Sequence, residues 1–226
     1  MILAVAGGKG GVGKSTVALE LGARLDAVVV DADLAMADLA AGRGPDLHDV
    51  LAGRADPLEA VREDGLVRLL PCGRTLAGAR AGDVTRLVAA VETVEETYGS
   101  VVVDCPAGMA ADVGMGLLAA DCSVLVTAPR EFALADALRT RALARELDAG
   151  LAAVALNRTD EDPPTAEVRR ALGAPVVAIP DDDRVRRAHR HGSPVSEIAP
   201  ESRPAKRFEK LAEESRPALD SRSSVR

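Results

Sequence analysis

Hydrophobic and polar residues alternate along this chain in blocks, and the blocks predict seven strands separated by helices. Each predicted strand is a short run of Val, Leu, Ile and Ala, which is typical of a parallel strand buried on both faces. These runs occupy residues 2–6, 27–30, 66–70, 101–104, 123–127, 151–156 and 174–179. Strands that alternate with helices in this way predict an α/β fold, with a doubly wound, mainly parallel sheet flanked by helices.

The segments between the strands carry helical spacing or acidic helix caps. In residues 82–98 the apolar positions Leu87, Val91 and Val94 recur every three or four residues, so one face of a helix should cover the sheet. Other helices are predicted at residues 15–25, 46–53, 56–63, 131–147 and 185–191. No repeat or linker divides the chain, so we predict one domain at residues 1–216 and a disordered Ser- and Arg-rich tail at 217–226.

Composition places the chain among globular proteins with an aliphatic core. Of its 226 residues 47% are hydrophobic but only 1% are aromatic, so Val, Leu, Ile and Ala must fill the interior. The net charge of −7 argues against a protein that coats nucleic acid, although it leaves room for a local basic patch. The acidic, lysine-poor composition fits either a high-salt cytoplasm or a GC-rich genome.

The cysteines and the apolar runs indicate a cytoplasmic protein. Cys72, Cys105 and Cys122 are widely spaced and form no C-x-x-C pair, which is typical of a reducing compartment. We expect no signal peptide, because the first apolar run is short and leads directly into a glycine-rich loop. No run approaches the roughly 18 apolar residues of a membrane span. We therefore expect no integral membrane segment.

The glycine-rich loop fits the phosphate-binding pattern G-x-x-x-x-G-K-[ST] at residues 8–15, between a predicted strand and a predicted helix. Its glycines allow the backbone to direct N–H groups at phosphate oxygens, at the positive end of the helix dipole. Lys14 would reach the β- and γ-phosphates, and the Ser15 hydroxyl would ligate Mg²⁺. The alternative is a glycine-rich turn with no ligand.

Carboxylates follow two of the predicted strands. Asp31 and Asp33 come after the strand at 27–30, and Asp104 ends the strand at 101–104. Open α/β sheets bind ligands at the carboxyl ends of their strands, and a hydrophobic strand that ends in Asp can deliver a carboxylate to Mg²⁺. Alternatively, Asp31 or Asp33 caps a turn, and Asp104 only ends a buried strand.

Residues 9–16, KGGVGKST, resemble the signature of the deviant Walker A ATPases, the MinD/ParA family. Residues 28–39 resemble the family's switch I, and residues 104–108, DCPAG, resemble its switch II, nearest to the D-S-P-A-G of the MinD branch. The resemblance covers roughly residues 1–215 and is closest to an archaeal-like MinD homologue. It implies a P-loop NTPase fold of the SIMIBI type.

The resemblance also implies roles for individual residues. Lys9 would reach across a dimer interface to the phosphates bound by the partner, and Asp33 would orient or activate the attacking water. Asp31 would hold the water shell of the Mg²⁺, and Asp104 would join it at the metal. The implied nucleotide-binding set is Gly10, Gly11, Val12, Gly13, Lys14, Ser15, Thr16, Asn157, Pro180 and Asp182.

Two members of that set, Asn157 and Asp182, have ordinary alternatives. In the resembling family an asparagine at the position of Asn157 reads the adenine ring, but an Asn at a strand end is also a common turn former. Pro180 and Asp182 lie in a segment that would close over the base. Asp182 could instead cap the next helix.

The implied activity is that of a slow, partner-stimulated ATP hydrolase that forms an ATP-dependent homodimer and acts in cell division or another positioning process. Its activating or cargo protein is unknown. One rival is a ParA-like DNA-binding segregation ATPase, in which Arg184, Arg186, Arg187 and Arg190 contact phosphates. The favoured alternative is that these arginines form an ordinary solvated helix face, partly neutralised by Asp181–Asp183. Other rivals are a metallocluster relative with Cys105 as ligand, and a regulator that binds ATP but hardly hydrolyses it.

Bacterial MinD proteins end in an amphipathic helix that docks on the membrane, and this chain departs from that pattern. Residues 203–214 offer only Phe208 and Leu211 as sizeable apolar side chains, and the following residues are polar. We therefore expect no membrane-targeting helix of the bacterial kind.

Overall fold

The computed structural model of the chain describes residues 1–8, 10–34, 39, 43–108, 111–130 and 133–223. At its centre lies a parallel sheet of seven strands in the order β3-β2-β4-β1-β5-β6-β7. The strands are β1 (Ile2–Ala6), β2 (Val28–Asp31), β3 (Leu69–Leu70), β4 (Val101–Asp104), β5 (Cys122–Thr127), β6 (Gly150–Thr159) and β7 (Val176–Pro180). The predicted doubly wound, parallel α/β fold is confirmed.

Helices follow most of the strands within the described ranges. They are α1 (Lys14–Leu25), α2 (Leu47–Leu51), α3 (Pro57–Ala60), α4 (Leu76–Ala81), α5 (Leu87–Tyr98), α6 (Ala111–Leu118), α7 (Ala133–Glu146), α8 (Thr165–Leu172), α9 (Asp183–Arg190), α10 (Val195–Ile198) and α11 (Arg203–Ser223). A short 3₁₀ turn at Val84–Arg86 precedes α5.

The two faces of the sheet bury separate hydrophobic clusters. On β1, Leu3 and Val5 join a cluster with side chains of α1 and α11, whereas Ile2 and Ala4 join side chains of α2, α5 and α6. Side chains alternate between the faces of a strand, so one strand can supply both clusters. Helix α1, which follows the glycine-rich loop, and the last helix α11 therefore share one side of the sheet.

Helices α4, α6, α8 and α10 are among those that the hydrophobic pattern did not predict, and α6 and α8 show why. Helix α6 contains Gly114 and Gly116, which are poor helix formers. A Cβ at Gly116 would lie 2.8 Å from the Cys105 Sγ, so the glycine allows α6 to pack closely on the end of β4. Helix α8 buries only Val168 and Leu172, too few residues for a recognisable period.

The last helix extends beyond the end of the predicted domain. Its Phe208 and Leu211 are fully buried in the core. The backbone stays helical to Ser223, whereas the composition predicted disorder from residue 217. Extending an existing helix adds one hydrogen bond for each residue that becomes ordered. Composition alone does not reveal this gain. Residues 224–226 lie outside the described chain. Within the described residues no helix is both long and apolar enough to cross a membrane.

Glu20 is a buried carboxylate on α1 that holds the start of α10. It is 1% exposed and accepts hydrogen bonds from the backbone N–H groups of Val195 and Ser196. Burial raises the pKa of Glu20 to about 7, while the two amide groups and the Arg24 charge act in the opposite direction. The carboxylate thus connects helix α1 to the segment after α9.

We predict that Glu20 makes folding stability depend on pH. The folded state binds the Glu20 proton more tightly than the unfolded chain does. The resulting contribution to the free energy of unfolding is therefore fully present below about pH 4.5 and is lost as the pH rises through about 7. It amounts to about 3 kcal/mol. Denaturant unfolding of the nucleotide-free protein between pH 5 and 8 should show a smaller pH slope for Glu20→Gln than for the wild type. The exposed Glu209, which pairs with Arg24, provides the control Glu209→Gln. An unchanged slope in Glu20→Gln would contradict this assignment.

Candidate functional site

The glycine-rich loop connects the buried strand β1 to helix α1 and leaves the start of that helix open. Gly11 and Gly13 have φ values of 77° and 96°, in the left-handed region that glycine adopts most readily. Gly13 is the N-cap residue of α1, and no described side chain caps that end. The first N–H groups of α1 therefore remain available for an anion.

Lys14 is the first residue of α1, and its charge is close enough to Asp104 to lower the pKa of that carboxyl. Its side chain is only 8% exposed although it carries a charge. A buried ammonium requires an anionic or polar partner. The other described residues of the motif differ in solvent exposure. Val12 is buried, Ser15 and Thr16 are half-buried, and Gly10 and Gly11 are exposed. Lys9, which carries the dimerisation prediction, lies outside the described residues.

Two carboxylates meet beside this loop at the carboxyl edge of the sheet. Asp31 ends β2 and Asp104 ends β4, and the two residues pair directly in the parallel register. Their exposed fractions are 0% and 1%. Parallel strands end at a common edge, so the strand order brings together two residues that are far apart in sequence.

The environment of Asp104 favours its protonated form when no cation is bound. Burial, followed by the Asp31 charge, raises the pKa of Asp104 to about 8, and the Ser15 hydrogen bond and the Lys14 charge lower it in part. The Asp104 Oδ1 atom accepts no hydrogen bond from any described residue. A buried acceptor without a partner is costly, and a cation or its water shell would satisfy it.

The chain that follows Asp31 is held by the Asp31 side chain. Its Oδ1 accepts from the Asp33 N–H at 3.2 Å, and its Oδ2 accepts from the Leu39 N–H at 3.4 Å. Asp33 is half-buried next to this turn. Residues 35–38, the middle of the segment that resembles switch I, lie outside the described chain.

A cavity of about 410 Å³ lies beside the loop, at the carboxyl ends of β6 and β7. Its lining includes Thr16, Asn157, Pro180 and Asp182, so the structure brings the residues predicted for the base to one place. Asp182 also caps α9, accepting from the Arg184 N–H at 2.7 Å, as the alternative predicted. The Asn157 amide donates to the Val12 carbonyl at 2.8 Å and is therefore directed at the loop.

Comparison with known proteins identifies the family. The sequence profile of the CobQ/CobB/MinD/ParA nucleotide binding domain matches residues 3–195. The chain belongs to this family. An uncharacterized ATP-binding protein of Methanocaldococcus jannaschii is 30% identical over 93% of this chain and 85% of that protein.

Solved structures place this member of the MinD/ParA family near MinD. The cell division ATPase MinD of Pyrococcus furiosus superposes with a TM-score of 0.87 at 30% identity, covering 94% of this chain and 97% of that one. The septum site-determining protein MinD of Pyrococcus horikoshii, solved with Mg-ADP, gives a TM-score of 0.86 at 29% identity, covering 94% of each chain. The predicted resemblance is thus confirmed at the level of family and fold.

Two of the four arginines of helix α9 form ion pairs with neighbouring carboxylates, which weakens the DNA-binding alternative for this MinD/ParA protein. Arg186 forms ion pairs with Asp181 and Asp183, and Arg184 lies 3.9 Å from Asp182. An arginine that already pairs with a carboxylate releases fewer counterions when it meets a phosphate. The structure therefore favours the alternative of a solvated, acid-balanced helix face.

The cysteines of this family member are buried thiols, as expected for Cys105. Cys105 is 1% exposed and packs against Gly116 of α6. Cys72 and Cys122 are buried as well. Among the described residues, no group of three or more His, Cys, Asp or Glu side chains could hold a metal ion.

His48 is a residue near the site that the sequence pattern did not reveal. It is buried on α2, and its Nε2 lies 3.2 Å from the Leu34 carbonyl, in the turn that follows Asp33. The same nitrogen lies 3.4 Å from the Cys72 Sγ. A single histidine in a short predicted helix carries no sequence signal of such a contact.

Proposed function

We propose that this chain is a MinD-like ATPase that binds Mg-ATP, dimerises around it and hydrolyses it as a switch in cell division or another positioning process. The observation that supports the proposal is that three features lie together at the carboxyl edge of the sheet. These are the open start of α1, the buried Lys14, and the register-paired carboxylates Asp31 and Asp104. A generic nucleotide-binding domain requires the first feature, and phosphoryl transfer with a metal requires all three.

Each residue has a physical task in this proposal. The N–H groups of residues 10–16 and the Lys14 ammonium bind the β- and γ-phosphates, and Thr16, Asn157, Pro180 and Asp182 surround the nucleoside. Ser15, Asp31 and Asp104 would hold Mg²⁺, and the ion would supply positive charge against the negative charge that develops during phosphoryl transfer. Asp33 orients the attacking water, and Lys9 of each subunit reaches the phosphates of the partner.

The switch follows from the way the loops are anchored. Asp31 holds the chain that follows it through hydrogen bonds to the N–H groups of Asp33 and Leu39. A γ-phosphate beside Asp31 adds contacts for this segment and for the one after Asp104, and its loss on hydrolysis removes them. The two nucleotide states then differ in the surface offered to a second subunit or to an activating protein.

The partner and the location remain part of the proposal. The relatives named MinD act, by their names, in cell division or septum-site determination, and we propose a related task for this chain, with an unidentified activating or cargo protein. We propose slow, partner-stimulated turnover in the cytoplasm. The buried Phe208 and Leu211 leave no apolar face on the described side chains of α11 for membrane docking.

We predict that Mg-ATP, but not Mg-ADP, converts the protein from monomer to dimer. Multi-angle light scattering after size exclusion would measure the mass with each nucleotide, and phosphate release would measure turnover. Asp33→Ala should keep the ATP-bound dimer and lose turnover, because nucleotide binding persists without the water-orienting carboxylate. A monomeric mass with ATP in both proteins would reject the dimer mechanism. Absence of nucleotide binding would reject the ATPase itself.

A further inference from the structure

The His48 side chain links helix α2 to the turn that contains Asp33. Its ring is 3% exposed, and the Nε2 atom lies 3.2 Å from the Leu34 carbonyl oxygen and 3.4 Å from the Cys72 Sγ. A carbonyl oxygen is a strong hydrogen-bond acceptor, whereas a thiol sulfur is a weak one. The Leu34 carbonyl is therefore the main partner of this nitrogen.

The surroundings of the His48 ring select one tautomer. A carbonyl can only accept a hydrogen bond, so the contact with Leu34 requires a proton on Nε2. The opposite nitrogen, Nδ1, is buried and has no hydrogen-bond partner among the described residues. A neutral ring with its proton on Nδ1 would leave a buried N–H unsatisfied, at a cost of about 1–3 kcal/mol. The Nε2–H group therefore donates to the Leu34 carbonyl.

The ring is held in place and has little room to turn. A Cβ at Gly73 would lie 2.2 Å from the His48 Nδ1, and a Cβ at Gly78 would lie 2.8 Å from it, so both glycines pack directly against the imidazole. Helix α2 is fixed in turn, because the Leu47 N–H donates to the Pro71 carbonyl at 2.9 Å. The Nε2–H donor thus has a defined position relative to the sheet.

The turn around Asp33 is held on both sides of that residue. The Asp33 N–H donates to the Asp31 Oδ1 at 3.2 Å, and the Leu34 N–H donates to the Ala32 carbonyl at 3.0 Å. On the far side, the His48 ring holds the Leu34 carbonyl. The backbone is thus fixed before and after Asp33, which limits the positions open to the Asp33 carboxylate.

We infer that His48 is a positioning residue for Asp33, and that it acts by fixing the Leu34 carbonyl through its Nε2–H group. The inference rests on the proposed function, in which the Asp33 carboxylate orients the attacking water. A displacement of about 1 Å at a reacting group can lower a rate by up to about a hundredfold. Releasing the Leu34 carbonyl should therefore slow hydrolysis and leave ATP binding intact, because other groups bind the phosphates.

Two substitutions of His48 separate the hydrogen-bond donor from the bulk of the ring. His48→Leu fills most of the space with an apolar side chain and has no donor, whereas His48→Gln places an amide N–H near the position of Nε2. In ATPase assays on the full chain, kcat should fall about tenfold in His48→Leu and return to within about threefold of the wild type in His48→Gln. Titration calorimetry should give a Kd for ATP within about twofold of the wild type in both variants.

Cys72→Ala is the matched control, because it removes the other neighbour of the same nitrogen. The Cys72 side chain is fully buried, so its loss tests whether a packing defect beside the ring is enough to slow hydrolysis. Both kcat and the Kd for ATP should stay within about twofold of the wild type, since the Leu34 contact persists. A loss of kcat as large as that of His48→Leu would assign the effect to packing around α2 and overturn the inference.

The tautomer of His48 can be measured on the nucleotide-free wild type, so this result does not depend on the folding of a variant. Long-range ¹H–¹⁵N NMR correlation distinguishes protonated from unprotonated ring nitrogens. The chain has three histidines, and through-bond correlation from the His48 backbone assigns its ring. We expect the proton on Nε2. An unprotonated Nε2 would overturn the inference, because it could not donate to the carbonyl.

The outcomes distinguish this inference from the proposed function. If the wild type hydrolyses no ATP, the proposed function fails and the inference fails with it. If the wild type hydrolyses ATP and a folded His48→Leu variant keeps kcat within about twofold, the inference alone is overturned. A loss of kcat that His48→Gln does not restore would show that the bulk of the ring matters rather than its donor, and this result overturns the inference as well.

Discussion

Replacing Lys14 by Ala is expected to abolish ATP binding at concentrations that saturate the wild type. Lys14 is 8% exposed and begins α1, so its ammonium lies where the helix dipole already favours an anion. A hydrogen bond between two charged groups in a site sheltered from water contributes up to about 3 kcal/mol, or about a hundredfold in Kd. Titration calorimetry with ATP in the presence of Mg²⁺ measures this loss.

Two other lysines make the Lys14 result interpretable. Lys206→Ala applies the same chemical change on α11, where the side chain is 58% exposed and pairs with Glu201, and it should leave the Kd for ATP unchanged. Lys9→Ala should keep ATP binding but lose dimerisation and turnover, because the proposal places the Lys9 ammonium at the phosphates of the other subunit. A Lys9→Ala protein that still dimerises with ATP and turns over normally would exclude the shared-site mechanism.

The sheet could be predicted from the sequence because its strands are buried on both faces. A strand such as Val101–Asp104 consists of consecutive apolar residues and ends in a carboxylate, and both features are visible without a structure. The end of that strand, together with the P-loop pattern, also located Asp104 and Lys14. Local sequence thus identified the residues that lie directly at the carboxyl edge of the sheet, next to the candidate site.

Contacts between distant segments could not be predicted in the same way. The amide of Asn157 lies on the Val12 carbonyl, and Glu20 lies on the Val195 and Ser196 N–H groups, because β6 and α10 fold back onto α1. No periodicity or motif in the sequence encodes those pairings. A family resemblance assigned a role to Asn157, but it could not show which hydrogen bonds the side chain makes in this chain.

The second large effect is expected for Asp104→Asn, which should abolish hydrolysis and stabilise the metal-free protein. Asn keeps the size and one oxygen of Asp but cannot supply the negative charge that Mg²⁺ requires. In the absence of metal the substitution removes one of two buried, register-paired carboxylates, and desolvation followed by repulsion from Asp31 raises the pKa of Asp104 to about 8. We expect a gain of about 2 kcal/mol in the free energy of unfolding in the presence of a chelator.

The pH dependence of that gain tests its cause. The folded wild type holds the Asp104 proton more tightly than the unfolded chain does. The contribution of this proton to the free energy of unfolding is therefore fully present below about pH 3.8 and is lost as the pH rises through about 8. The advantage of Asp104→Asn over the wild type should therefore grow between pH 5 and 8. Asp121→Asn is the control, because Asp121 accepts from the Ile2 N–H at 2.8 Å at the opposite edge of the sheet. Equal gains in the stability of both variants would show that the effect comes from net charge alone. A wild-type rate of ATP hydrolysis in Asp104→Asn would show that Asp104 takes no part in the reaction.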